Sequence, residues 1–562
     1  RDLIVQSIKG LIDRVHAQQE DYVDYPILEQ RMHYPLIPDL DEKQALELRG
    51  KLADNPWAVV RPSVRRVFRQ KDILCHILGR TERIPGSISK TYQQTEEDHY
   101  LPGELRGKEG LELFYDKRLR GRRGWLKMDK EPRVETPPED GRDIVLSIDI
   151  ELQRFVQQRL TEQVHNLPYA IAGGAVVIDL RDNSLLAMVS VPTFDPEIFK
   201  DRTKYNKLQT DKKYLPMIDR VLNARYSPGS IVKPYVGAWA IEHGKVGSHQ
   251  TYDCQGRLSE NLNAFKCWLP PPGHGPMDFV EAIAHSCDIY FYRVGEIITA
   301  EGMTDLYRSI GFDHSVPLGV SEDNPNGLPN VPGHIPDQAW FIRRWGRGMS
   351  VGDARNLAIG QGDLLITPMQ GVIMTKALIT GTYQPPRVLT DEPDPPATPV
   401  GIRPSILRLA RDGMYKVVNN PRATGYKDAY TDKIVLAAKT GSATAPPRPI
   451  EWEVSYQDPI TGQTVKQIVT DKDKFIASAP VPEMQISWRS TGFFPTLKPE
   501  DQKDAYGRTK HLAHGWFTGY APAGRPRIVA LVFIEYGIAG GSGAGPVFKD
   551  IMLKCQDLGY LK

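Results

Sequence analysis

Ser230-Ile231-Val232-Lys233, Ser286-Cys287-Asp288 and Lys439-Thr440-Gly441 follow one another along the chain. Each motif is weak alone. Together they hold the parts of an acyl-transfer site with a serine nucleophile and a lysine proton acceptor. A serine hydroxyl attacks poorly until a base takes its proton. Lysine serves as that base only when desolvation or a nearby cation lowers its pKa. Lys233 lies three residues beyond Ser230, on the same face of a helix, and Lys439 is the candidate cation. Tyr226-Ser227-Pro228-Gly229 reads as a turn that opens this helix at Ser230. Amides at such a start favour negative charge on an incoming oxygen. Lys439 and Thr440 are expected where an apolar strand over Ile434–Ala438 ends, presenting an ammonium and a hydroxyl to a substrate carboxylate. Gly441 would let a substrate backbone lie close, and the amides of Ser442 and Ser230 would form an oxyanion hole. The plain alternative for this last motif is a strand-end turn.

The same serine–lysine spacing recurs at Pro85-Gly86-Ser87-Ile88-Ser89-Lys90. Ser87 is set aside because its surroundings are polar and far from any strand-borne partner, whereas Ser230 lies among segments patterned as strands and helices. A second constellation is Cys254, Cys267, His274 and Cys287, with 12, 6 and 12 residues intervening. Three thiols and an imidazole have the composition of a closed structural zinc site. A disulfide with one spare thiol, or free buried thiols, are the alternatives. Such a set leaves no open position for zinc catalysis.

The elements that must hold these groups can be read in outline. The chain has 562 residues, enough for roughly two to four domains. Its 71 basic and 69 acidic residues balance, which speaks against a nucleic-acid partner. No apolar run approaches the ~18–20 residues that span a bilayer. The first residue is Arg1 rather than Met, so a leader or anchor is expected to precede the chain. Five cysteines, an odd number, argue against a disulfide framework.

Residues 1–142 are polar, with Ala45, Leu48 and Leu52 at helical spacing. The basic run from Asp116 to Arg133 reads as a solvated extended arm, or as a contact for an acidic polymer or membrane surface. A linker falls near Glu135–Gly141. Strands are predicted over Ile144–Asp149, Gly174–Asp179, Leu185–Ser190, Val435–Ala438 and Ile528–Glu535, and helices over Glu151–Val164 and Gly545–Leu558. The second and third strands form a hairpin. Strands at both ends with helices between them predict one large α/β domain, over 143–562, whose sheet is assembled from distant parts of the chain.

The motif trio resembles that of the penicillin-binding protein transpeptidases. Gly107-Lys108-Glu109-Gly110-Leu111-Glu112, Tyr115-Asp116, Leu119-Arg120-Gly121 and the run Asp140–Asp149 are similar to the N-terminal signatures of class B members. Ile359-Gly360-Gln361-Gly362, Thr367-Pro368-Met369-Gln370 and His514–Pro522 match later landmarks. The likeness runs from about residue 75 to the end with no glycosyltransferase domain before it, which fits class B. Asp288 in place of Asn, and the His514–Pro522 form, resemble the elongation type, penicillin-binding protein 2.

The resemblance implies an elongated N-terminal pedestal over 1–142 and a serine β-lactamase-like domain whose antiparallel sheet is flanked by helices. It implies that Ser230 attacks the D-Ala-D-Ala carbonyl of a peptidoglycan stem peptide and that a neighbouring stem's amine resolves the acyl-enzyme. Lys233 would be the base, Ser286 the proton shuttle, and Lys439 and Thr440 the carboxylate binders. No cofactor is implied for catalysis, although some elongation-type relatives carry zinc near the Cys/His set. Implied partners are β-lactam drugs, a SEDS-family glycan polymerase with other elongation-complex proteins, and the outer face of the cytoplasmic membrane through a single-pass anchor.

Asp288 resists assignment, because an anion beside Lys233 raises the pKa of the base. Either Asp288 pairs mainly with another group or the proton moves within a coupled cluster. The chain also departs from the family by about 70 residues between Ala443 and Ala513, where Trp452–Thr470 alternates as a hairpin around Asp458–Gly462. This insertion is either a surface excursion or a lid or docking surface. Two rival functions remain. Glu322-Asp323-Asn324-Pro325-Asn326 is spaced like the Glu-x-x-x-Asn loop of a β-lactam hydrolase, with a carboxypeptidase as its variant. The other rival is a non-catalytic scaffold or polymerase activator on the same fold.

Overall fold

The computed structural model describes residues 40–53, 58–60, 67–84, 100, 105–122, 124–128, 132–259, 264–320, 327–470, 472–482, 485–503, 509 and 511–562. Ser87–Lys90 and Glu322–Asn326 lie outside the described residues. The chain divides into two compact units, 1–69 and 70–562. In the first, Glu42–Lys51 is a helix closed by a capping box between Asp41 and Gln44. Ala45 and Leu48 lie in that helix and Leu52 caps it.

In the second unit the strands are β1 (Ala172–Asp179), β2 (Leu185–Val191), β3 (Ala437–Thr444), β4 (Arg448–Gln457), β5 (Thr464–Val469), β6 (Ser487–Phe494), β7 (Ala513–Ala521) and β8 (Ile528–Glu535). The main sheet has the order β3-β7-β8-β1-β2 and is antiparallel throughout. Every residue of β1, β2 and β8 is buried, so these strands read as continuous apolar runs rather than alternating ones. Neighbours on β7 show why both sheet faces are dry. Phe517 packs on Phe548 of the C-terminal helix, while Thr518 bonds Thr375 of Pro368–Thr380 on the other face.

The helices that matter are α1 (Ile150–Asn166), α2 (Lys233–Glu242), α3 (Phe279–Ala284), α4 (Asp288–Ile298), α5 (Val351–Ala358), α6 (Pro368–Thr380), α7 (Pro404–Asn419), α8 (Lys472–Ser478) and α9 (Gly545–Asp557). On α1, Leu152, Val156, Leu160 and Val164 form one buried stripe. Arg159 and Glu151 of α1 pair with Asp550 and Lys554 of α9, tying the two ends of the domain together.

Three expectations are corrected. Ile144–Asp149 is not a strand: Leu146 makes one isolated bridge to Leu389, and Asp149 is drawn off to cap α1. The Lys-Thr-Gly motif does not follow its strand but lies inside it, since β3 starts at Ala437 and continues to Thr444. The basic run is not an extended arm. Asp116–Arg120 is helical, and Trp125–Met128 pairs with Pro132–Thr136. Arg118 is held by the Asp143 carbonyl at 2.7 Å and by Asp391.

The segment between Ala443 and Ala513 folds as its own three-stranded sheet, β5-β4-β6, with the hairpin at the expected place. Val454, Val481 and Ile486 form a small core with Phe475 of α8 and Trp488. The root of the insertion is tied to the main sheet. Glu535, at the end of β8, is buried between Arg220 at 3.1 Å and Arg448 at 2.8 Å, and the Tyr226 hydroxyl donates to it. Burial pushes the Glu535 carboxyl up, but the two guanidiniums outweigh that and hold it below the usual range.

His514 packs beside this cluster, its ring against Tyr226 and Tyr536. Its Nδ1 accepts the Tyr536 amide at 3.2 Å. Burial, helped by Arg448 and opposed by Glu535, pushes its pKa down to about 4. The unfolded chain therefore binds the His514 proton first as pH falls. The stability this provides is complete above pH 6.5 and is lost towards pH 4, a difference of up to about 3 kcal/mol. Thermal melts from pH 7 to 4.5 should show a smaller loss of Tm for His514→Gln than for wild type, and equal losses would remove His514 as a source of acid lability.

Candidate active site

Ser230 sits in a 3₁₀ turn, Gly229–Val232, that feeds directly into α2. The turn is fixed on several sides. Tyr226 exchanges backbone hydrogen bonds with Ile366, the Gly229 amide donates to the Gly360 carbonyl at 2.8 Å, and Trp516 donates to the Ser227 carbonyl at 3.0 Å. Two glycines allow this packing. A Cβ on Gly360, at φ +70, would stand 2.2 Å from the Gly229 carbonyl oxygen. One on Gly441 would stand 2.8 Å from Ile231 Cγ2 and 3.0 Å from the Pro228 oxygen. Gly441 thus makes room for the Ser230 turn.

The three motifs converge. Lys233 is fully buried, and its Nζ reaches Asp288 Oδ1 at 2.7 Å, the Ser286 carbonyl at 2.9 Å and Ser286 Oγ at 3.3 Å. Lys439, also fully buried, reaches Ser286 Oγ at 2.9 Å and the Thr440 carbonyl at 2.8 Å. One hydroxyl thus lies within reach of two lysines. Burial pushes the pKa of Lys439 well down, and the charge of Lys233 adds to this. Of the two lysines, Lys233 alone holds a direct carboxylate contact among the described residues.

Asp288 has two partners. Besides Lys233, its Oδ2 accepts the Trp268 amide at 3.0 Å. Burial holds its carboxyl above the usual range although Lys233 pulls it down. Ser286, between α3 and α4, takes the left-handed backbone (φ 51) that is costly for a residue with a side chain. Cys287 is then the N-cap of α4 and Asp288 its first residue.

Several neighbours were missed from sequence. Thr424 accepts from Thr440 Oγ1 at 3.1 Å and donates to the Ala284 carbonyl at 3.3 Å. Gln361 donates to the Ser442 carbonyl at 3.2 Å, and Ser442 Oγ accepts the Gly540 amide at 3.0 Å. Gly360-Gln361 at least carried a Gly-x-Gly signal, whereas Thr424 and Trp268 had none, since one acts through a common hydroxyl and the other through its backbone.

The Cys/His set is also brought together. Ligand atoms of Cys254, Cys267, His274 and Cys287 lie within 4.8 Å of one another, and all five cysteines are free thiols. His274 Nδ1 is 3.4 Å from the Cys254 sulfur and 3.5 Å from that of Cys267. Its Nε2 is buried without a partner. Three sulfurs and one nitrogen at this spacing fit a tetrahedral zinc with bonds of about 2.0–2.3 Å.

The chain is similar to known proteins in sequence and fold. The model of the penicillin binding protein transpeptidase domain matches residues 173–449, and that of the penicillin-binding protein dimerisation domain matches 4–146. A peptidoglycan D,D-transpeptidase MrdA of Haemophilus influenzae is 26% identical over 92% of this chain and 73% of its own length. One of Acinetobacter baumannii is 27% identical over 88% and 67%. Among solved structures, Pseudomonas aeruginosa PBP2 in complex with WCK 5153 has a TM-score of 0.64 and 25% identity, covering 88% of this chain and 91% of its own. The fold is also shared with PBP2 in its complex with MreC from Helicobacter pylori, with a TM-score of 0.72 and 24% identity over 92% and 84%.

Gly360→Ala should cost about 1–3 kcal/mol in denaturant melts and slow acylation of Ser230 by a serine-directed probe at least about tenfold. Gly247→Ala, whose nearest neighbour would be 3.8 Å away, is the control. An unimpaired Gly360→Ala would show that the turn does not need this contact.

Proposed function

Because this chain belongs to the penicillin-binding protein transpeptidases, we propose that it cross-links peptidoglycan during cell elongation as a penicillin-sensitive serine D,D-transpeptidase. The observation that carries this reading is the sharing of Ser286 Oγ by Lys233 and Lys439 beside the Ser230 turn.

In this mechanism Ser230 Oγ attacks the carbonyl between the two terminal D-Ala residues of a stem peptide. The Ser230 proton passes to the lysine pair, with Lys233 as acceptor. Ser286 relays it to the departing D-Ala amine as the C–N bond breaks, leaving an ester on Ser230. A neighbouring stem's amine then attacks the ester, forms the new amide and returns a proton to Ser230. The Ser230 and Ser442 amides hold the oxyanion. The donor carboxylate meets the Thr440 and Thr424 hydroxyls, with Lys439 3.4 Å from Thr440 Oγ1 supplying charge behind them. Asp288 anchors Lys233 Nζ through Oδ1 at 2.7 Å, and the proton moves within this coupled cluster.

Zinc at Cys254, Cys267, His274 and Cys287 would act as a structural clamp. Cys287 adjoins Ser286 and Asp288, and Trp268, next to Cys267, binds Asp288 through its amide. The dimerisation-domain match over 4–146 supports a pedestal over 1–142 with the transpeptidase domain over 143–562. No helix among the described residues is long and apolar enough to cross a membrane. The reading includes a tether to the outer face of the cytoplasmic membrane and a SEDS-family polymerase as partner, as the family membership suggests.

Intact mass after incubation with a β-lactam should show one stable adduct on wild type and none on Ser230→Ala. An adduct that survives the substitution would place the nucleophile elsewhere, and rapid drug turnover would favour a hydrolase. Protein purified without chelator should carry about one equivalent of zinc, lost in Cys254→Ser with a lower Tm. Less than about half an equivalent in wild type would count against the metal.

A further inference from the structure

The molecule holds a second place suited to an anion, away from the three motifs. A cavity of about 820 Å³ opens between α7, the segment entering β3, the β7–β8 turn and the C-terminal end. Arg408 and Arg411 of α7, Lys433 before β3 and Arg525 in the turn all line it, against a single acid, Asp412. These cations come from three separate stretches of chain. None has a carboxylate partner among the described residues. Arg411 is fixed at the cavity wall by the Leu378 and Ile379 carbonyls at 3.3 and 3.1 Å, at the end of α6. The other three are exposed. The remaining wall is largely apolar, with Tyr415 and Val435 half exposed over a buried Tyr520.

Unpaired positive charges that converge from separate elements raise the local concentration of anions. A lone inorganic ion would leave the apolar wall and most of the volume unused. A short peptide with small apolar side chains and free carboxylates uses both. We propose that this cavity is a non-catalytic binding site for the anionic stem peptide of peptidoglycan, holding a strand that is not the one being acylated. The proposal rests on the transpeptidase reading for its choice of ligand.

The test uses the full chain with Ser230 first blocked by penicillin, the block being verified by mass. A fluorescent stem pentapeptide ending in D-Ala-D-Ala is then titrated by anisotropy. Saturable binding is expected on the blocked protein. The double variant Arg408→Glu, Arg525→Glu should bind at least about tenfold more weakly while its acylation rate is unchanged, which also shows that it is folded. Lys433→Gln should weaken binding less. No binding to blocked wild type, equal binding by the double variant, or equal binding of a peptide with an amidated C-terminus would each overturn the site. Displacement by inorganic phosphate at matched ionic strength would reassign it to a phosphate or lipid headgroup. If the protein takes no penicillin at all, the mass shows it before any peptide is added, and the transpeptidase reading falls together with this one.

Discussion

Two buried ammonium groups cannot share one hydroxyl at rest without help. Lys233 and Lys439 both reach Ser286 Oγ, and neither is exposed to water. Two full charges so close repel by a few kcal/mol at the effective dielectric of such sites. Among the described residues only Asp288 offsets this directly. Burial and this repulsion together keep Lys439 short of its usual proton affinity. The arrangement requires three elements to be held at once: α2 for Lys233, β3 for Lys439 and the α3–α4 corner for Ser286. The glycine contacts around the Ser230 turn, the strained backbone of Ser286 and the Cys/His cluster beside it all serve that constraint.

The residue types that do this were legible in the sequence because they are unusual together and ordered along the chain. Their geometry was less so. Ser230, Lys233, Ser286 and Lys439 could be chosen from their order along the chain and the patterned segments around them, since spacing alone also fits Ser87 and Lys90. That Lys439 lies inside a strand could not, because Thr440, Gly441 and Ser442 carry no strand pattern and pair with Phe517, Trp516 and Gly515 of a strand about 70 residues away. Ile144–Asp149 failed for the opposite reason. Its pattern is strand-like, but Asp149 gains more as a helix cap. The buried strands β1, β2 and β8 were found because apolar runs bounded by turn residues survive any tertiary context. Contacts made through backbone atoms, such as Trp268 on Asp288, leave no trace in side-chain chemistry.

The small sheet β5-β4-β6 shows how a peripheral unit can be joined to the main sheet without touching the three motifs. Its first strand supplies Arg448 to Glu535, the same carboxylate that holds Arg220 and Tyr226. Tyr226 lies four residues before Ser230. A buried carboxylate that loses one of its guanidiniums is left undercompensated, which is costly in a way that loss of a surface pair is not. The module's root is therefore part of the main domain's electrostatics, while its outer sheet, with Ile460 and Ile468 exposed, is not.

The order of strands in the sheet also sets a timetable. β1 and β2 lie near the start of the domain, but the far edge of β1 is completed by β8, whose residues 528–535 come near the end of the chain. A chain made from its N-terminus at about 5–20 residues per second offers that largely apolar hairpin an open edge for on the order of half a minute before its partner exists. The same delay separates α1 from α9. Until that partner is made, an unpaired strand edge of this kind is open to pairing with other chains, so Ser230 and Lys233 are in place along the chain well before the sheet that surrounds them is complete.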